Sequence, residues 1–317
     1  MTGVPNEAGS TGSALAGSRI LVTGGSGFIG RHVVRTLEEA GVAVVVADLN
    51  PSPVRDGGRL CLGDLRDPDF RDRIVTADLD GVVHLAAATS VLASVRDPAG
   101  VYDLNVAATA GLLELARLRD VPRFLLASTN AVIGDVGSGV IDETIAPRPL
   151  TPYGGSKAAG EMLLSAYHGS YGMTTCALRL TNVYGTGMAA KDSLIPRLMR
   201  AARDGATVEV YGSGRQRRDL VNVLDVVQGL IVAWQHDVTG PLVIGSGRSA
   251  DVLEIVATAR EATGVDIPAR HIPGKQGEMP VVQVDLARAA ALGYQPSVTL
   301  EDGLREVWAD FRPERDR

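Results

Sequence analysis

The chain has 317 residues, enough for two domains or one large α/β domain, and its core needs neither disulfides nor a structural metal. Hydrophobic residues make up 45% and charged residues 21%, while 31 basic against 37 acidic side chains leave a formal charge of −6. This excludes wholesale disorder and suggests no nucleic-acid groove and no anionic-membrane face, and no apolar run approaches the ~18 residues of a membrane span.

Residues 1–18 are Gly/Ser-rich, with no basic start and no apolar stretch, and read as a flexible tail rather than a signal peptide. A short strand is expected over Arg19–Thr23, and helical periodicity over 28–40 stops before Gly41, a C-cap. Residues 42–47 form a nearly unbroken Val/Ala run, the pattern of a strand buried on both faces of a parallel sheet. Further strands are expected at 60–62, 81–85 and 123–128, separated by helical stretches, notably 101–119. Thr151 as N-cap and Pro152 at the first helical position open a helix that should run to about residue 171, with a strand following at 174–180. Such alternation predicts an α/β fold around a doubly wound parallel sheet. Beyond Tyr184 the pattern loosens into turn-rich stretches at 211–215 and 273–277, with short helices at 251–262 and 300–310, and reads as a smaller lobe. Cys61 and Cys176 lie far apart in apolar segments, as core thiols of a cytoplasmic protein would. The five histidines show no ligand spacing, so no metal site is expected.

The first expected strand runs into Thr23-Gly24-Gly25-Ser26-Gly27-Phe28-Ile29-Gly30 and then a helix, the context of a dinucleotide loop. Glycines allow the tight turn and close approach of backbone amides to a pyrophosphate, and the helix N-terminus adds the positive end of its dipole. The spacing is G-x-x-G-x-x-G, not the G-x-G-x-x-G of ordinary dehydrogenases, and a Gly-rich turn alone also serves as a plain turn. Asp48, at the end of the second strand, can accept hydrogen bonds from a ribose diol and would repel a 2′-phosphate, which favours NAD over NADP; its other reading is a cap before Pro51. Asp64 in Gly63-Asp64-Leu65 can bond an adenine or act only as a turn residue.

Tyr153 and Lys157 stand four apart on one helix and share a face. With seven tyrosines, and lysines only at Lys157, Lys191 and Lys275, chance supplies roughly 0.07 such pairs. A tyrosine acting as a base near neutral pH needs its pKa lowered from ~10 by about three units, or ~4 kcal/mol, which a nearby ammonium and a cationic nicotinamide ring can supply. An exposed tyrosine beside a solvated lysine is the plain alternative. Upstream, the strand at 123–128 ends in Ser128 and Thr129, at the edge where open α/β sheets bind ligands; hydroxyls there also cap turns.

These residues resemble the extended short-chain dehydrogenase/reductase superfamily and, within it, the nucleotide-sugar epimerase/dehydratase family, nearest its UDP-glucose 4-epimerase members. The similarity runs from Arg19 to about Trp308. It is carried by the T-G-x-x-G-F-I-G loop, Val83-His84-Leu85-Ala86-Ala87, Asn105-Val106, Pro152-Tyr153-x-x-Ser156-Lys157 and Arg179-x-x-Asn182-Val183-Tyr184-Gly185. Gly212-x-Gly214-x-Gln216-x-Arg218-Asp219 and Ile244-Gly245-Ser246-Gly247 extend it. The resemblance implies an NAD-binding Rossmann domain over 19–184 with a return segment at about 219–246, and a substrate lobe from 185–218 and 247–312. It implies a catalytic triad of Thr129, Tyr153 and Lys157, with Tyr153 taking the sugar hydroxyl proton and Lys157 also holding the nicotinamide ribose. Gly24, Gly27, Phe28, Ile29, Gly30, Asp48, Asp64, Leu65 and Ala86 would complete the cofactor contacts. Ser128, Thr129, Asn182, Arg218 and Lys275 would hold the substrate, a nucleotide-diphosphate sugar, most simply a UDP-sugar. Lys275 stands where many relatives have Arg, so the charge is kept and the bidentate fork is lost. Arg215 and Arg217 read as a solvated charge cluster. A homodimer is implied by analogy, through the helices at 101–119 and 153–171.

Related 4,6-dehydratases carry Asp-Glu after the triad threonine, and the decarboxylases carry Glu at the second position. Here Asn130 and Ala131 stand there, and neither does acid–base work. What remains is oxidation at one carbon with hydride return, a 4-epimerisation. A sugar oxidoreductase, decarboxylase or dehydratase releasing a 4-keto product is the alternative, and a non-catalytic NAD-binding regulatory protein is one of another class. Ile133, where most relatives have Tyr, and Val282, where some hexose epimerases have Tyr, are expected to shape the sugar pocket.

Overall fold

The computed structural model describes residues 15–51, 59–274 and 280–312. Its first half alternates β1 (Arg19–Thr23), α1 (Phe28–Glu39), β2 (Ala43–Asp48), β3 (Arg59–Leu62), α2 (Pro68–Ile74), β4 (Gly81–His84), α3 (Val91–Arg96), α4 (Pro98–Tyr102), α5 (Ala108–Leu118), β5 (Arg123–Thr129), α6 (Pro152–Tyr171) and β6 (Thr174–Leu180). The second half adds β7 (Asn182–Tyr184), α7 (Leu194–Asp204), β8 (Val208–Tyr211), β9 (Arg217–Asn222), α8 (Val223–Gln235) and β10 (Gly240–Ile244). It ends with β11 (Ser249–Asp251), α9 (Val252–Thr263), β12 (Ala269–Ile272), α10 (Ala287–Ala291) and α11 (Leu300–Phe311).

Seven strands make one parallel sheet in the order β10-β6-β5-β4-β1-β2-β3. Its two faces are sorted by the period-two alternation of strand side chains. Ile20 and Val22 of β1 face Val33, Val34 and Leu37 of α1 and the apolar side of α8, whereas Leu21 faces Phe70, Leu112 and Leu164 on the helices of the other face. Burying a Val, Leu, Ile or Phe contributes about 1.5–3 kcal/mol, so strands covered on both sides need no polar face. The chain lays β2 and β3 on one side of β1, then returns to lay β4, β5 and β6 on the other. A doubly wound sheet binds its ligand outside the carboxyl ends of the strands at this reversal. The register aligns those ends: Thr23 pairs with His84, His84 with Leu126, and Thr129 with Leu180.

A second core of α7, α9 and α11 packs over the small sheets β11-β9-β7 and β12-β8, and Phe28 at the start of α1 belongs to it. The two cores therefore meet at the first turn of α1, beside the glycine loop.

Several expectations need correcting. Leu15 is buried in the main core beside Val42 and Val44, so residues 15–18 are not part of a loose tail, while 1–14 lie outside the described residues. The helix expected at 101–119 is continuous but holds a π-helical stretch, Asp103–Ala107, between α4 and α5. Cys61 is only half-buried, because β3 is the edge strand; Cys176 is a core thiol.

Candidate active site

Every catalytic, cofactor and substrate residue expected from the sequence within the described part lines one cavity of about 660 Å³, at the carboxyl ends of the strands. Lys275 lies outside the described residues. The cavity floor is the turn Gly24, Gly27, Phe28, Ile29 and Gly30. Gly24 has φ +71°, and a Cβ there would sit 2.7 Å from the Ala86 nitrogen; at Gly30 it would sit 2.1 Å from the Gly24 carbonyl oxygen. Only hydrogen fits at either position, so the turn can lie this close to β4 and to its own helix. The cradle fits a dinucleotide pyrophosphate: its glycine amides lie where α1 begins, with no side chain in the way.

Asp48 ends β2, and its carboxylate accepts the amide hydrogens of Ser26 and Asn50, each at 3.0 Å. It is thereby fixed at the loop with capacity left for a diol. Asp64 and Leu65 line the adjoining part of the cavity. The Asp64 carboxylate is gripped by Arg66, with the Nη2 contact at 2.6 Å, and this hydrogen bonding holds it below the usual carboxylate range. Asp64 also accepts the Arg66 amide at 2.9 Å, so its turn role is present.

The opposite side of this cleft is β5 and α6. Thr151 caps α6 by accepting the Gly154 amide at 3.2 Å, Pro152 holds the first helical position, and Gly172 at φ +70° ends the helix. Gly154 lets the first turn press against the Ala131 carbonyl, 2.6 Å from where a Cβ would be. This close approach brings Tyr153 to Thr129, to whose side chain it is hydrogen-bonded. Burial pushes the phenol up to about 12, the Thr129 bond opposing it. The lowering expected for a base is therefore not built into the chain alone. Lys157, one turn on, is buried and pushed down to about 8, the Glu161 charge opposing.

Behind Ala86, which also lines the cavity, a buried polar relay locks the strand ends together. Thr109 donates to the Asn105 carbonyl at 2.8 Å, so His84 Nε2–H donates to Thr109 at 2.9 Å and Nδ1 accepts from Thr23 at 2.6 Å. Burial pushes His84 down to about 3, consistent with a neutral ring. Asn105, in the π-helical stretch, donates to Ser156 Oγ at 3.0 Å, and Ser156 donates to the Tyr153 carbonyl at 2.7 Å.

The far wall comes from the lobe. Asn182 and Arg218 lie on paired strands, Asn182 opposite Leu220, and the Asn182 amide donates to the Asp219 carbonyl at 3.1 Å. Both line the cavity, as does Ser128, whose hydroxyl donates to Glu161. Lys191, Arg197 and Tyr211 line it too, and sequence reading missed them because they fall in no motif and α7 itself was not foreseen. Arg215 and Arg217 are absent from the lining; Arg215 pairs with Asp251 at 2.9 Å. Two expectations fail here. Ile133 is packed with Val132, Ile141, Ala158, Val243 and Val284, and Val282 is buried beside the Arg217–Val281 bridge. Neither lines the cavity.

A model of the NAD dependent epimerase/dehydratase family matches residues 20–245. The chain is similar to the dTDP-glucose 4,6-dehydratase of Streptomyces niveus, 34% identical over 316 residues that cover 94% of each chain. It is also similar to the UDP-glucose 4-epimerase of Lacticaseibacillus casei, 31% identical over 323 residues covering 93% of this chain and 98% of that one. Its fold matches the crystal structure of the Thermus thermophilus UDP-glucose 4-epimerase complex with NAD, with a TM-score of 0.87 and 32% identity over 93% of this chain and 99% of the other.

Proposed function

The chain belongs to the NAD-dependent epimerase/dehydratase family, its cofactor is NAD, and from that premise we propose that it is a nucleotide-sugar 4-epimerase. One observation carries the choice: after Thr129 the β5 end offers no acid or base. Asn130 is buried, Ala131 has a methyl group, and neither lines the cavity. A dehydratase must remove and add protons at neighbouring carbons, whereas an epimerase needs one proton-handling group. Bound NAD supplies reversible two-electron oxidation at a single sugar carbon.

In this reading Tyr153 moves the proton of the sugar's 4-hydroxyl, and Thr129 holds the same oxygen. The half-buried phenol keeps its proton until positive charge enters the cavity, which ties deprotonation to cofactor occupancy. Lys157 adds an ammonium on the same helix face. Asp48 accepts from the adenosine ribose, the glycine turn cradles the pyrophosphate, and Asn182 and Arg218 grip the substrate diphosphate, a UDP-sugar being the simplest candidate. The test is incubation with UDP- and dTDP-sugars, resolving epimers by chromatography. Epimer formation without net NADH supports the reading, and accumulation of a 4-keto product overturns it.

A further inference from the structure

Tyr153, Lys157 and Glu161 follow at four-residue intervals on α6 and share a face, yet nothing in the reaction above uses the third. Glu161 is buried against Arg179 of β6, both side chains 3% exposed, with Nη2 to Oε2 at 2.8 Å and Nε to Oε2 at 3.1 Å. Ser128 donates to Oε1 at 2.5 Å. A buried ion pair is often no more stable than an apolar pair of like volume, because desolvating both charges offsets their attraction. Stability is therefore a poor reason for this one.

Its placement offers a better reason. Ser128 precedes Thr129 on β5, so a single carboxylate fastens the strand end that carries Thr129, the strand β6, and the helix face that carries Tyr153 and Lys157. Lys157 interacts electrostatically with Glu161 of α6 and His84 of β4, with Tyr153 one turn before it on the helix, while Cys176 of β6 and Asp142 and Glu143 of the segment before α6 lie about the Glu161–Arg179 pair. His84 is neutral within its threonine relay, Cys176 is a buried thiol whose pKa is pushed up to about 12, and Arg179 is a cation. Of these carboxylates, Glu161 is the one whose charge acts on Lys157.

We propose that Glu161 is a positioning residue: its clamped carboxylate sets Lys157 and Thr129 relative to one another and is the counter-charge that keeps Lys157 an ammonium. The proposal rests on the roles of Tyr153 and Lys157 given above.

Lysine occurs only at Lys157, Lys191 and Lys275, so protein labelled with ¹³C-lysine gives three side-chain signals, and Lys157→Arg identifies the one from Lys157. Its midpoint in the wild type should lie near 8. Glu161→Gln should lower it by roughly one unit, as loss of an opposite charge requires, and Glu161→Asp should restore it. Glu161→Gln strands Arg179 in the interior and endangers the fold. The double variant Glu161→Gln/Arg179→Met, with no buried charge at the pair, is therefore measured alongside; losing the Arg179 cation by itself raises the midpoint, so the double variant is read against Arg179→Met and should lie below it. In an active variant the alkaline limb of kcat should move with this midpoint while the sugar KM stays near wild type. A Lys157 midpoint in folded Glu161→Gln no lower than in the wild type, or in the folded double variant no lower than in Arg179→Met, overturns the proposal. This titration needs no turnover, so it stands or falls separately from the epimerase assignment, which fails if Tyr153→Phe stays active.

Discussion

On the side of the cavity formed by β1, β2, β4, β5 and α6, each group comes from the carboxyl end of a sheet strand or from the first turns of the helix facing it. On the other side, Asn182, Lys191, Arg197 and Arg218 are long or polar side chains from α7, the small sheets and the connections between them. The first wall is shaped by backbone: Gly24 and Gly30 admit no Cβ, Lys157 is buried and Tyr153 is half-buried. The second is shaped by side chains that reach in from the lobe. A cofactor that stays and a chemistry that must be exact in geometry call for the first kind of wall. A substrate that enters and leaves suits the second. Damage to the first should thus fall on cofactor content and kcat, and damage to the second on KM.

The largest effect should come from Tyr153→Phe, with kcat falling about 10²–10⁴-fold while bound NAD and sugar KM stay near wild type. Near-normal turnover would mean the proton is handled elsewhere. Gly30→Ala forces a Cβ against the Gly24 carbonyl and should cost about 1–3 kcal/mol, read as a lower Tm, along with loss of copurifying NAD. A fully loaded variant of unchanged Tm would show that the turn tolerates a side chain. Arg218→Gln tests the lobe: losing charged hydrogen bonds of about 1.5–3 kcal/mol should raise the KM for the nucleotide sugar roughly tenfold or more with NAD content unaltered. If NAD leaves with Arg218, the two walls are not separate. Asp48→Ala should weaken NAD and shift the NAD/NADP affinity ratio about tenfold toward NADP, ~1.4 kcal/mol, by titration of the stripped protein. A wild type that binds both equally would remove Asp48 from the discrimination.

The same contrast governs what the sequence discloses. Pro152–Tyr171 and Thr174–Leu180 are legible in it, because Thr151, Pro152 and Gly172 punctuate them and the strand is a compact apolar run. Motif residues of the first wall are contiguous and are placed by strand ends, so local pattern suffices. The helix α8 escapes notice. Nearly all of Val223–Gln235 is apolar and packed, so it shows no polar face with a helical period. The helix α7 escapes too, since Ser193 at its start makes no capping bond and Pro196 reads as a breaker along the chain, although the first turn of a helix tolerates it. Ile133 and Val282 look like pocket residues when counted along the chain. Both are shut into packing by contacts among segments far apart in sequence, which no local pattern encodes.

The place of β10 in the sheet bears on how the chain can be made and cut. It pairs with β6, Gly240 opposite Cys176 and Ile244 opposite Leu180, after the chain has passed through β7, α7, β8, β9 and α8. Until residue 244 has left the ribosome, β6 is an edge strand with an open row of amides and carbonyls, a template for pairing with other chains. A truncation after Tyr184 keeps every glycine of the loop and both Tyr153 and Lys157, yet removes β10 from that edge and α8 from one face. Such a fragment should aggregate rather than bind NAD on its own, and the nascent chain is most exposed to misassembly while the excursion is being synthesised.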